Sequence, residues 1–226
     1  MNQITVLLVE DHVIVREGLR ALLALESDIT VVGEAGDGRK ALVLTRKLSP
    51  DVVVMDIALP LLNGIEATRQ ILHELPDTKV LILSAHSDDA YVEKVMAIGA
   101  SGYLIKQTAA HVLAEAIRRI HRGETVFSPV VSRRHNDLSQ KADSRRESVS
   151  KKDGVQLSSR ETEVLQLVAE GYANKQTADL LKISIKTVEK HRQSVMNKLC
   201  IHDTAGLTRY AIAAGIIESS VQVTII

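Results

Sequence analysis

Over the first half of the chain, short and nearly continuous runs of Val, Ile and Leu alternate with stretches whose apolar positions recur at helical spacing. The runs are Ile4–Val9, Ile29–Glu34, Val52–Met55, Lys79–Ser84 and Ser101–Ile105. Apolar runs without polar alternation are expected of strands buried on both faces. Helical patterns fall between and after them, at 13–25, 38–48, 64–74, 88–98 and 108–122. In the first of these, Arg16 and Arg20 interrupt a stripe of Ile14, Leu19, Leu22 and Leu23. Five strand–helix units with short connections predict a doubly wound α/β domain around a parallel sheet.

The pattern ends near Phe127. Residues 128–154 are polar, rich in Ser and charge, and without hydrophobic period, which predicts a flexible linker. After it the chain becomes helical, with no strand-like run until Val221–Ile226. Ser158 and Glu161 have capping-box spacing and open a helix through Ala169, with Gly171 as its stop. Asn174 is a candidate cap for a helix Lys175–Leu181, and Ser184 for one through Leu199. A fourth helix is expected from Thr204 to about Ala214, stopped by Gly215. The reading is three segments: a domain at 1–127, a linker at 128–154 and a helical domain at 155–226.

Composition changes this picture little. The chain has 226 residues, 45% hydrophobic and 25% charged, which excludes wholesale disorder. Its formal net charge of zero hides an asymmetry. Residues 1–127 carry 13 basic against 17 acidic side chains, whereas 128–154 carry 7 against 4. An acidic front joined to a basic middle is compatible with a nucleic-acid partner. The single cysteine, Cys200, excludes an internal disulfide and suits a reducing compartment; a lone thiol of this kind is expected in a core. No apolar run approaches the ~18 residues needed to span a bilayer, and the N-terminus lacks signal-peptide character. A cytoplasmic protein is expected.

In an open α/β sheet the functional crevice lies beyond the carboxyl ends of the strands. There the chain places Glu10 and Asp11 after strand one, Asp56 after strand three, Ser84 at the end of strand four and Lys106 after strand five. Crowded carboxylates repel one another at low effective dielectric, and a divalent cation relieves the repulsion. Oxygen-only ligands with room for water favour Mg²⁺. A cation beside a free carboxylate, a Lys and a hydroxyl suits phosphoryl transfer to that carboxylate. His12 and His86 are expected at the rim. Each residue alone has a plainer reading: paired acids as a solvated helix start, Asp56 as a cap, Lys106 as surface.

The motifs Val-Glu-Asp-His at 9–12, Met-Asp-Ile-Ala-Leu-Pro at 55–60 with Gly64, Ser84-Ala85, and Gly-Tyr-Leu-Ile-Lys at 102–106 resemble a bacterial response-regulator receiver domain over roughly residues 4–122. The resemblance implies a flavodoxin-like (βα)5 fold with strand order 2-1-3-4-5. It also implies Asp56 as phosphoacceptor and Asp11 and the Ile57 carbonyl among the Mg²⁺ ligands, with Glu10 acting mainly through metal-bound water. Lys106 and Ser84 would contact the phosphoryl group, and Tyr103 would be an aromatic switch that turns inward. Ala58 and His86 fall where receivers vary.

The tail reads Leu-Ser-Ser-Arg-Glu-Thr-Glu-Val-Leu, then Asn-Lys-Gln-Thr-Ala, then Ile-Ser-Ile-Lys-Thr-Val-Glu-Lys-His. Two helices joined across Lys182-Ile183 make a helix-turn-helix whose second helix suits a major groove. Val188, Val195 and Leu199 should face the core, leaving a polar face for DNA. Lys190, Gln193 and Glu189 are candidates for base contacts; Lys175, Lys186, Thr187 and Arg192 for phosphates; Asn197 lies on the same face. Tyr172 and Tyr210 are expected to pack in the core. Over about 155–217 the wording resembles a LuxR-type DNA-binding domain, and the whole chain resembles a NarL/FixJ-type response regulator. That resemblance implies a sensor histidine kinase as phosphodonor, double-stranded DNA as target, RNA polymerase as a candidate contact, and a homodimer on an inverted repeat. Leu207, Ala211 and Ala214 are candidates for the dimer surface, with a core role as the competing reading. Two other functions stay open: a DNA-binding regulator controlled without phosphate, and a phosphatase with an aspartyl-phosphate intermediate. Nothing like a second catalytic acid follows Asp56, which disfavours the last.

Overall fold

The computed structural model describes residues 3–85, 89–127 and 157–217, excepting the side chains of 89–91 and 108–111. The expected linker, His86 and the apolar tail Val221–Ile226 lie outside the described residues. The chain divides into two compact units, the first an α/β sandwich and the second a helical bundle.

In the first unit, β1 (Ile4–Val9), β2 (Ile29–Ala35), β3 (Val52–Asp56), β4 (Lys79–Ser84), β5 (Gly102–Ile105) and β6 (Val126–Phe127) form one sheet. Its order is β2-β1-β3-β4-β5-β6, and every pairing is parallel. The five expected strands stand where the apolar runs placed them. The sixth is an addition: two residues without a readable period, recruited because Val126 and Phe127 pair with Gly102 and Tyr103. Every residue of β3 is buried, as a central strand covered on both faces requires.

The helices are α1 (Val13–Leu23), α2 (Gly38–Leu48), α3 (Gly64–Glu74), α4 (Asp89–Ala97) and α5 (Lys106–His121). Only Leu19 and Leu23 of the α1 stripe are buried; Ile14 is 85% exposed and Leu22 also faces outward. Leu19 and Leu23, one helical turn apart, pack with Val6, Leu8, Val54, Leu83, Leu113 and Ile117 on one face of the sheet. The α5 helix begins at Lys106, directly after β5, two residues earlier than its periodicity suggested.

The second unit contains α6 (Ser159–Ala169), α7 (Asn174–Leu181), α8 (Ile185–Leu199) and α9 (Thr204–Ala213). Ser158 and Glu161 form the capping box: the Ser158 hydroxyl accepts from Glu161 N–H, and the Glu161 carboxylate accepts from Ser158 N–H. Gly171 and Gly215 adopt positive φ, as stops should. Asn174 is not a cap. Ala173 holds that position, and its N–H donates to the Gln176 side chain at 2.9 Å. Lys182, in the left-handed conformation, makes the turn of the helix-turn-helix.

Val164, Leu167, Val188, Val195, Leu207 and Ala211 form the buried centre of this bundle, with Tyr172, Leu199 and Tyr210 packed against it. This corrects the candidate dimer face. Leu207 and Ala211 are 1% and 0% exposed, so their apolar stripe is consumed by the core, and Ala214 is only partly accessible. The outward face of α9 carries Arg209 and Ile212 instead. Cys200 also departs from expectation: it is exposed, in the left-handed position that ends α8.

Candidate functional site

The parallel register brings the crevice residues together. Val9 pairs with Met55, so Glu10 emerges beside Asp56; Asp56 pairs with Leu83, and Ser84 with Ile105, so Ser84 and Lys106 follow at the same end of the sheet. The Lys106 ammonium lies 2.8 Å from Glu10 Oε2 and 2.9 Å from Asp56 Oδ2. Glu10 and Asp56 are 1% and 3% exposed, Ser84 is buried, and Asp11 stands partly open at the rim. The amide of Ile57 donates to Asp56 Oδ1 at 2.8 Å, orienting the carboxylate.

Two negative charges against one ammonium leave the site under-neutralised. Burial, and after it the charge of Glu10, pushes the Asp56 carboxyl up to about 7, against the opposing pull of Lys106. Burial also acts to lower Lys106, but the carboxylates of Asp56 and Glu10 outweigh it and hold the ammonium above its ordinary range. Lys106 thus serves both acids at once. Glu10 Oε2 and Asp56 Oδ2 are buried oxygens turned to the Lys106 ammonium, and Asp11 Oδ1 is a buried oxygen turned to the His12 ring. Converging oxygens of this kind are what a hard divalent cation binds.

His12 is closer to the acids than a rim residue need be. Its Nδ1 lies 2.8 Å from Asp11 Oδ1 and 3.2 Å from Glu10 Oε1, and ligand atoms of all three residues fall within 4.8 Å of one another. The Asp11 charge raises the imidazole's proton affinity. Tyr103 is already fully buried in β5, so an inward turn is not a motion left to it here. The Ile57 carbonyl accepts the Gly64 N–H at 2.8 Å. Gly64 itself is required by proximity: a Cβ there would stand 1.8 Å from the Asp56 carbonyl oxygen.

The second site is the outer face of α8. Lys186, Glu189, Lys190, Gln193 and Asn197 are exposed along it, and Lys175 is exposed on α7. Gln193 donates to Asn197 Oδ1 at 2.8 Å, so these two amides present a joined polar surface. Two expected phosphate contacts are already engaged. Arg192 donates to Asn174 Oδ1 at 3.2 Å and to Thr204 Oγ1 at 2.8 Å, tying α8 to α7 and α9, and Thr187 Oγ1 lies 2.8 Å from Ser184 Oγ.

By spacing alone, Glu161 is legible only as a cap. The structure also uses it to hold α8: Ser194 Oγ donates to Oε1 and Lys198 Nζ to Oε2, both at 2.7 Å. Although burial opposes it, these bonds and the capping contacts bring Glu161 down to about 2. Arg160 likewise donates to the Leu181 carbonyl that ends α7, and to Glu163. No local signal in the sequence pairs Glu161 with Ser194 and Lys198, or Arg160 with Leu181.

A sheet whose carboxyl ends carry Glu10, Asp11, Asp56, Ser84 and Lys106, in a chain that also has a helix-turn-helix, defines a response regulator. The comparisons agree: residues 6–118 match the response regulator receiver domain, and residues 155–211 match the bacterial regulatory proteins of the luxR family. The chain belongs to the NarL/FixJ-type response regulators, a family of transcription regulators. It is 38% identical to the transcriptional regulatory protein DegU of Brevibacillus brevis, over 89% of this chain and 90% of that one. It is 36% identical to the response regulator protein VraR of Staphylococcus aureus, over 95% and 99%. Among solved structures, RcsB of Salmonella typhimurium aligns at 28% identity with a TM-score of 0.62, covering 95% of this chain and 99% of that one. An RcsB–DNA complex aligns at 29% identity with a TM-score of 0.56, covering 92% and 98%. No helix among the described residues is long and apolar enough to cross a membrane.

Proposed function

We propose that Asp56 is the phosphoacceptor of this regulator and that its phosphorylation controls reading of DNA by α8. The observation that carries this reading is the buried Asp56 carboxylate, paired with Lys106 and crowded by Glu10. Glu10, Asp11 and Asp56 would hold Mg²⁺, a hard cation suited to their crowded carboxylate oxygens; the Ile57 carbonyl, shared with Gly64, is a lesser donor. Bound there, the ion would supply positive charge for the phosphoryl oxygens. A sensor histidine kinase presents a phosphohistidine. An Asp56 oxygen attacks phosphorus, the O–P bond forms as the N–P bond breaks, and the electron pair returns to the imidazole. Lys106 neutralises phosphoryl charge and the Ser84 hydroxyl donates to a phosphoryl oxygen.

On DNA, Lys190 donates to guanine O6/N7, Gln193 pairs with adenine and Glu189 accepts from cytosine N4, while Lys175 and Lys186 meet phosphates. Arg192 and Thr187 serve these contacts by holding α8 in place. A two-fold dimer reads an inverted repeat with half-site centres ~10 bp apart, and RNA polymerase is a candidate contact of the DNA-bound dimer. Incubation with Mg²⁺ and acetyl phosphate, followed by intact mass measurement, tests the acceptor. One phosphoryl group is expected on the wild type and none on Asp56→Asn. Equal labelling of the two overturns the assignment, and identical operator affinity with and without phosphate overturns the control.

A further inference from the structure

Arg16 breaks the apolar stripe of α1, yet its side chain is only 18% exposed. Its guanidinium does not reach for solvent. Nη1 donates to the Glu10 carbonyl at 2.5 Å and stands 3.5 Å from the Asp11 carbonyl, while Nε donates to Glu34 Oε2 at 3.2 Å. Glu34 lies near the end of β2, where its other oxygen is 3.5 Å from Arg20. One planar fork therefore ties the β1–α1 turn to the neighbouring strand. The carbonyls it takes belong to the same two residues whose carboxylates line the crevice.

From this arrangement we propose that Arg16 is a positioning residue for the cation site: it fixes the peptide units of Glu10 and Asp11 so that their carboxylates stay converged while no cation is bound. The inference rests on the reading of this crevice as a Mg²⁺ site. The need is electrostatic. Crowded carboxylates gain by separating. Lys106 and His12 restrain the carboxylates themselves, whereas the peptide units that carry them are held by Glu10 N–H donating to Ala35 O and by Arg16. An arginine that bridges Glu34 through Nε and the turn carbonyls through Nη1 supplies a backbone restraint that a lysine at the same place would not. Ligands held in place before the ion arrives bind it more tightly, because the ordering cost is already met.

The sign of the effect separates this role from simple charge. Removing a nearby cation would by Coulomb's law tighten Mg²⁺ binding, whereas removing a positioning group weakens it. Mg²⁺ is titrated calorimetrically into the metal-free full chain of the wild type, Arg16→Ala, Arg16→Lys and Glu34→Gln. About a tenfold weaker affinity is expected for both Arg16 variants and a smaller loss, about threefold, for Glu34→Gln. At saturating Mg²⁺ the extent of labelling by acetyl phosphate should approach that of wild type. In the metal-free protein, amide exchange at Asp11–Val13 should quicken in the variants while the β3 amides stay protected. Unchanged or tighter Mg²⁺ binding in Arg16→Lys and Glu34→Gln overturns the proposal, even where Arg16→Ala fails to fold. Absence of Mg²⁺ binding by the wild type overturns the cation-site reading itself, and this inference with it.

Discussion

Replacing Asp56 by Asn should make the metal-free receiver more stable at neutral pH. The amide is nearly isosteric and keeps an oxygen for the Ile57 N–H, but it removes one of two buried negative charges. The Asp56 carboxyl stands at about 7, against 3.8 for an ordinary one, chiefly because of burial and the neighbouring Glu10. Between those values the folded protein holds a proton that the unfolded chain has released. Stability therefore falls as pH rises through this window, and the whole penalty is present above about 7. At ~1.36 kcal/mol per pH unit the ceiling is ~4 kcal/mol. Loss of the 2.9 Å pairing with Lys106 takes back part of this, so a net gain of ~1–3 kcal/mol is expected. Scanning calorimetry of the full chain without Mg²⁺ checks it. The receiver transition of Asp56→Asn should rise above wild type at pH 7.5, the two should converge near pH 4, and Mg²⁺ should narrow the gap by stabilising wild type more than the variant. A destabilised variant at pH 7.5, or an equal gain at both pH values, would refute the electrostatic account.

The helical unit should respond in the opposite sense. Glu161 is held at about 2 and so contributes stability above the ordinary carboxylate range near 4.5, which is lost as pH falls towards 2. Glu161→Gln should cost ~1–2 kcal/mol at pH 7 after solvent screening, a difference that thermal melts should show fading in acid. Gly64→Ala forces backbone movement beside Asp56 and should lower both receiver stability, by ~2 kcal/mol or more, and the rate of labelling by acetyl phosphate; chevron and mass measurements check the pair. On DNA, Lys190→Ala should cost ~1–3 kcal/mol and relax preference at particular base positions, whereas Lys186→Ala should weaken all sequences alike and reduce the salt slope by about one. Binding-site selection with both variants distinguishes these outcomes, and equal shifts in sequence profile contradict the division of labour.

Strand positions were legible because β1, β3 and β4 are buried on both faces, and their Val, Ile and Leu runs have no competing period. The crevice was legible for a related reason: residues that follow parallel strands share one end of the sheet, whatever their separation in sequence. What stayed hidden depended on tertiary partners. Ile14 and Leu22 share α1 with Leu19 and Leu23, and periodicity alone does not show that the sheet covers only the latter two. Leu207 and Ala211 suit a dimer face as well as a core, and the packing of α9 against its own bundle decides between them. The roles of Arg16 and Glu161 lie in partners on other elements, and β6 is too short to carry a period. Cys200 reads as a core residue by type, but it ends α8 in a left-handed turn that turns its thiol outward to solvent.

The joining of β5 to α5 without an intervening loop has a consequence for how the chain folds as it is made. Glu10 follows β1 and Asp56 ends the adjacent β3, and both leave the ribosome well before Lys106. A nascent sheet that pairs these strands early meets their mutual repulsion unrelieved. The opposing ammonium arrives only when β5 docks, and because Lys106 is the first residue of α5, strand docking and partial neutralisation of the crevice are one event. Closure of the sheet at β5 and completion of the crevice are therefore the same structural step.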